Sequence, residues 1–158
     1  MTDGLNHSAD YDDEMSEYLQ TFLDETEEQL DDLVETMLSL EEASTNEEDL
    51  NEAFRLIHSI KGSAGMMGLD QITMLTHHLE NRFERFRSGT EQLDEPTMNL
   101  VLRCIDFLRQ CNDRLRQNES IGSPQMLLTE LKELEKAATS GARPAKEPAS
   151  ATDEVISD

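Results

Sequence analysis

Within the segment FRLIHSIKGSAGMMG, residues 54–68, one histidine, one lysine and two glycines fall on a shared strip of helix surface. Lys61, Gly62 and Gly65 follow His58 by three, four and seven positions, spacings that place side chains on one side of a helix. Each glycine costs a helix interior about 1 kcal/mol against alanine, so bulk withheld beside the ring calls for a reason. An exposed imidazole, a cation one turn away and cleared ground suit a histidine that takes up an anionic group and gives it away inside another protein's active site. The plain alternatives are a boundary histidine on a helix rim and glycines that serve close helix packing.

Such a ring works best when its second nitrogen is held. A carboxylate that accepts from one ring nitrogen fixes the tautomer and makes the other a better nucleophile. Glu80 is the candidate. His58 lies ten residues before Gly68 and Glu80 twelve after it. Antiparallel helices that reverse at Gly68 would therefore set the two at similar heights. His77, three positions before Glu80, lines the rim as a secondary neighbour. The alternatives are an ordinary surface carboxylate at Glu80 and a rim residue at His77, and His78 reads as a surface or boundary residue. A metal site built from His58, His77 and Glu80 is a further alternative. Di-metal carboxylate bundles use Glu-x-x-His on two helices, and here His77 and Glu80 supply only the reverse order, once.

Other chemistries find little support. There is no Gly-x-Ser-x-Gly, and the GlySerAlaGly at 62–65 sits inside a helix rather than between strand and helix. The chain is expected to bind no ATP, metal or other cofactor of its own. Its formal net charge is −22, and no Lys or Arg precedes Arg55. Such a surface repels nucleic acid and anionic lipid, and either solvates a helix face or docks a basic partner. Cys104 and Cys111, seven apart on a helical pattern, share a face about two turns apart, too far for a disulfide. They read as small buried hydrophobes in a reducing compartment. No apolar run reaches the length of a membrane span and the acidic N-terminus is unlike a signal peptide, so a cytoplasmic protein is expected.

The elements that must position these residues are all helices. Residues 1–12 lack a period and predict a disordered lead; Asp12 or Asp13 then caps a long first helix to about residue 42. Its stripe is Met15, Leu19, Phe22, Leu30, Leu33, Met37 and Leu40, with Thr26 in the one polar gap. Thr45 with Glu48 fits a capping box for a second helix, about 46–67, with Leu50, Ala53, Phe54, Ile57, Ile60, Ala64 and Met67 facing inward. Gly68 suits the left-handed position that ends it, and Asp70 caps a third helix with the stripe Ile72, Leu75, Leu79, Phe83 and Phe86. Arg82, Arg85 and Arg87 gather near its end, where the helix dipole favours cations, and Ser88 and Gly89 close it. Asp94, Glu95 and Pro96 open a fourth helix, with Met98, Val101, Ile105, Leu108, Cys111 and Leu115 inward. Ser123 and Pro124 start a shorter fifth. From about 138 the composition turns to that of a linker or disordered tail. The expected fold is all-α: an up-down-up-down four-helix bundle over 13–137 with an additional fifth C-terminal helix.

HSIKGSAGMMG at 58–68, HHLEN at 77–81 and EYLQTFLDETEEQLDDLVETMLSLE at 17–41 together resemble the histidine phosphotransfer (HPt) domain. The likeness is greatest to the N-terminal HPt domain of CheA-type chemotaxis histidine kinases and covers roughly 13–137. The resemblance implies a phosphoryl carrier. His58 would be the phosphoacceptor through Nε2, Glu80 would hold Nδ1, Lys61 would stand near the phosphoryl group, and Gly62 and Gly65 would keep partner access open. ATP and Mg²⁺ would sit on partner domains. The donor would be a histidine kinase catalytic domain, expected in the same polypeptide and acting in trans, and the acceptor an aspartate of a response-regulator receiver domain. The family often has a second Gly after Lys-Gly, where this chain has Ser63, pointing away from His58 on the wheel. Kinase, dimerisation and coupling domains are absent, which predicts a fragment of a longer kinase. The isolated domain is expected to be a monomer. The alternatives are an HPt module of a non-chemotaxis phosphorelay and an acidic helical docking bundle without phosphotransfer.

Overall fold

The computed structural model describes the backbone of residues 2–140 and the side chains of 13–137. Five helices follow one another: α1 (Thr2–Glu42), α2 (Glu47–Met66), α3 (Asp70–Arg87), α4 (Glu95–Arg116) and α5 (Gln125–Ser140). No strand occurs among the described residues. α1 to α4 form the four-helix bundle, in which α2 packs between α1 and α3 and α1 also packs on α4; α5 lies against both α3 and α4. No helix of the described residues is long and apolar enough to cross a membrane.

The apolar stripes meet in one core. Leu30, Leu33, Met37 and Leu40 of α1, Ala53, Ile57 and Ile60 of α2, Leu75, Leu79 and Phe83 of α3, and Val101, Ile105 and Leu108 of α4 are all buried. Full burial of each large aliphatic side chain contributes about 1.5–3 kcal/mol relative to exposure. Cys104 and Cys111 are free buried thiols, pushed up by burial to about 12 and about 11. Leu128 and Leu131 of α5 join the same core.

The helix ends explain the hairpin that carries the site. α2 closes in a Schellman turn: Gly68 N–H donates to Gly65 O, Leu69 N–H donates to Ala64 O, and Gly68 has φ +73°. α3 begins directly after, at Asp70. With only residues 67–69 between the helices, α2 and α3 must run antiparallel side by side.

Several ends differ from expectation. α1 begins at Thr2, so 1–12 is not a structureless lead from residue 2 on. Periodicity marks what a helix buries, whereas a nucleated helix extends outward at little cost without an apolar stripe. Met15 was expected inward but is 39% exposed. The last residue of α4, Arg116, pairs with Asp24 of α1 at 3.1 Å, and Met15 lies about 13 Å further out along α1, past the end of its neighbour. The N-cap of α2 is Asn46, whose Oδ1 accepts from Asp49 N–H at 3.0 Å, rather than Thr45 with Glu48. Asn46 has the extended backbone a cap requires and an acceptor at the right reach. Leu69, not Asp70, is the N-cap of α3, because the turn uses every residue before Asp70. Asp94 caps α4 as expected, accepting from Thr97 N–H at 3.0 Å. The tail expected over 138–158 is helical to Ser140, and the rest lies outside the described residues.

Candidate functional site

His58 stands on α2 one residue after the buried Ile57, which turns its ring to the edge of the core rather than into it. The side chain is 63% exposed. Next to it, Ser59 Oγ accepts a 2.8 Å hydrogen bond from Gln29 Nε2, tying α1 to α2 at this height.

Across the α2–α3 groove, Glu80 follows Leu79 of the core, and its side chain is only 11% exposed. Its two oxygens have different partners. Oε2 accepts from His58 Nδ1, and Oε1 accepts from Lys61 Nζ at 2.5 Å. Burial pushes the Glu80 carboxyl up, but the hydrogen bonds from Lys61 and His58 and the attraction of both groups outweigh it and hold the carboxyl below its ordinary value. Glu80 is thus an anion wedged between two donors of the neighbouring helix.

This arrangement sets the chemistry of the ring. A carboxylate can only accept, so Nδ1 carries the proton in this pair. In the neutral imidazole Nε2 then holds the free lone pair, on a ring mostly open to solvent. The ground beside it is clear. A Cβ added at Gly62 would meet nothing within 4 Å, and one at Gly65 would meet only Thr73 Oγ1 at 4.0 Å. The site is therefore an oriented nucleophilic nitrogen on an exposed ring with open ground beside it.

His58, Lys61 and Glu80 are brought into one hydrogen-bonded group. His77 is not. It is exposed one turn before Glu80, its ring edge-on to His78 with centroids 5.6 Å apart. Among the described residues no group of three or more His, Cys, Asp or Glu is placed to hold a metal ion, so the weighed combination of His58, His77 and Glu80 does not assemble. His78 is more than a boundary residue: its Nδ1 lies 3.2 Å from Glu135 Oε2 of α5. Two further residues at the site escaped the sequence reading. The Phe54 ring lies parallel to that of His58, and the Arg87 guanidinium lies over Phe54. The i, i+4 spacing of Phe54 and His58 carried that signal; the arginine, from another helix, gave none.

The Hpt domain family model matches residues 17–118. Over 106 residues, 67% of this chain and 16% of the relative, the sequence is 37% identical to chemotaxis protein CheA of Salmonella typhimurium. It is 32% identical over 102 residues to chemotaxis protein CheA of Halobacterium salinarum, covering 65% of this chain and 15% of that one. The chain thus spans less than a fifth of the length of these relatives. Among solved structures, the CheA phosphotransferase domain from Thermotoga maritima superposes with a TM-score of 0.61 at 35% identity, covering 63% of this chain and 94% of that one. The solution structure of the histidine phosphotransfer domain of CheA gives 0.70 at 31% identity, covering 76% and 92%.

Proposed function

The chain belongs to the Hpt domain family, and from that premise we propose that it carries a phosphoryl group between the kinase and receiver domains of a chemotaxis-type two-component system. The observation that supports this reading is the His58–Glu80 pair, which protonates Nδ1 and leaves Nε2 free on an exposed ring.

In the first step His58 Nε2 attacks the γ-phosphorus of ATP, held with Mg²⁺ by a histidine kinase domain. The N–P bond forms as the bond from phosphorus to the bridging oxygen breaks, and ADP leaves with that electron pair. The ring keeps its Nδ1 proton. Positive charge gained by the ring then faces the Glu80 carboxylate. In the second step an aspartate carboxylate of a receiver domain attacks the same phosphorus, the N–P bond breaks, and Nε2 recovers its lone pair. Lys61 holds the second oxygen of Glu80, and as a cation one turn from His58 it would stand near the phosphoryl group. Gly62 and Gly65 keep the approach open, and His77 flanks it as a secondary neighbour. ATP and Mg²⁺ belong to the partners, and the chain itself is a substrate and carrier.

The kinase domain is that of a longer polypeptide of the same kind as the matched relatives and acts in trans. The isolated domain is a cytoplasmic monomer. The test is incubation with a CheA-type kinase domain, ATP and Mg²⁺. An acid-labile, base-stable phosphate should appear on the chain and be absent from His58→Gln. Label persisting in that variant would end the reading.

A further inference from the structure

We propose that Phe54 and Arg87 are positioning residues that fix the plane of the His58 ring. The inference rests on the phosphoryl-carrier reading for its consequence, though not for its geometry. A single hydrogen bond to Glu80 anchors one atom of the imidazole. It leaves the ring free to rock about that atom, because the last torsion of a histidine has broad wells. Phe54 supplies the missing constraint. It lies one turn before His58 on α2, with ring centroids 6.2 Å apart and planes within 10°. That is an offset parallel stack, a favoured arrangement of aromatic rings.

Phe54 is itself held. The Arg87 guanidinium carbon lies 4.0 Å from the centre of the Phe54 ring, well inside the range of a cation–π contact. Arg87 is in turn fixed by Glu84, which accepts from Nε at 3.0 Å, and by Asn51, which accepts at 3.4 Å. The His58 ring is therefore referenced to α3 at two places: directly through Glu80, and through Phe54 to Arg87 at the helix end. A leucine at 54 would cover the same edge of the core but offers no flat face. With Nδ1 and the ring plane both set, the Nε2 lone pair points one way before any partner arrives. In-line attack on phosphorus depends on that alignment.

The experiment compares the chain with Phe54→Leu, Phe54→Tyr, Arg87→Gln and Arg87→Lys. Phosphorylation by a CheA-type kinase domain is measured as kcat and KM for the chain, alongside the ¹⁵N resonances of the His58 ring and the thermal midpoint. Phe54→Leu should lower kcat about three- to ten-fold, with KM nearly unchanged and the ring resonances shifted. Phe54→Tyr keeps the flat face and should restore both readouts. Arg87→Gln should act in the same direction more weakly, and Arg87→Lys should recover part of the effect. A Phe54→Leu variant with wild-type kcat and ring resonances would overturn the proposal, as would a tyrosine variant impaired as much as the leucine one. If the unmodified chain takes no label, the carrier reading fails. The ring resonances of Phe54→Leu against the parent then still decide whether the stack orients His58.

Discussion

Glu80 reaches across the α2–α3 groove and accepts from His58 Nδ1 while almost all of its own side chain is covered. A carboxylate held in that way does more than tether a ring. It selects the tautomer and balances the charge that N-phosphorylation creates. Replacing Glu80 by Ala removes both effects but leaves the apolar residues around it in place. We expect phosphorylation of Glu80→Ala to be at least about ten-fold slower, the usual scale for losing a partner that orients a reactive histidine. Single-turnover labelling with a saturating kinase domain, with helicity followed by circular dichroism, would show it. Unchanged kinetics would mean that the pair has no part in transfer.

The same pair makes stability depend on pH in a definite direction. The folded Glu80 carboxyl titrates below its unfolded value, because the Lys61 and His58 contacts outweigh burial. Its contribution is present above the unfolded value and disappears as pH falls through the folded one. The stability advantage of the parent over Glu80→Gln should therefore be full near pH 7 and shrink as the pH is lowered past the ordinary carboxylate value. Denaturant midpoints of the two proteins across that range measure it. A gap that widens on acidification would contradict the assigned sign.

The glycines permit a prediction in which stability and transfer part company. No atom lies near a Cβ built at Gly62, and only Thr73 Oγ1 approaches one at Gly65. Gly62→Ala should therefore stabilise the fold by about 0.5–1 kcal/mol, by helix propensity and a less free unfolded chain. Gly65→Trp should fold normally, yet slow transfer about ten- to a hundred-fold by holding the partner off the ring. Thermal melts and receiver-dependent loss of label would separate the two. If Gly65→Trp labels and discharges normally, bulk at 65 is not on the approach.

How much of this was legible in the sequence depends on whether the information was local. The stripes were, because the core repeats every three or four residues. The His58–Glu80 pairing was too, since a three-residue reversal at Gly68 turns counting into height. Side-chain choices between helices were not. Arg82 reads as a basic residue near a helix end, but its guanidinium is buried against Glu91, which also lies 3.3 Å from Arg85 Nε. Nothing in the spacing of 82 and 91 announces an ion pair that closes through a loop. The stack of Arg87 on Phe54 depends likewise on the register between α2 and α3 and on rotamers, neither of which a single-helix pattern contains.

The fifth helix offers the sharpest separation between folding and chemistry. α5 seals the bundle on the side of α3 and α4, with Leu131 fully buried, Glu130 gripped by Arg103 at 2.7 and 2.9 Å, and Glu135 beside His78. None of these contacts involves His58, Lys61 or Glu80. Leu131→Ala removes methyl groups from a packed core and should cost about 2–4 kcal/mol. It should leave the initial rate of His58 labelling within about two-fold of the parent at a temperature where both are folded. The α2–α3 hairpin keeps its own register through the Gly68 turn and the Glu80 bridges, so the nucleophile should not feel the cavity. Urea unfolding paired with labelling at low temperature tests both halves. A labelling rate that falls in step with stability would show that α5 helps to hold the ring in place and belongs to the transfer machinery.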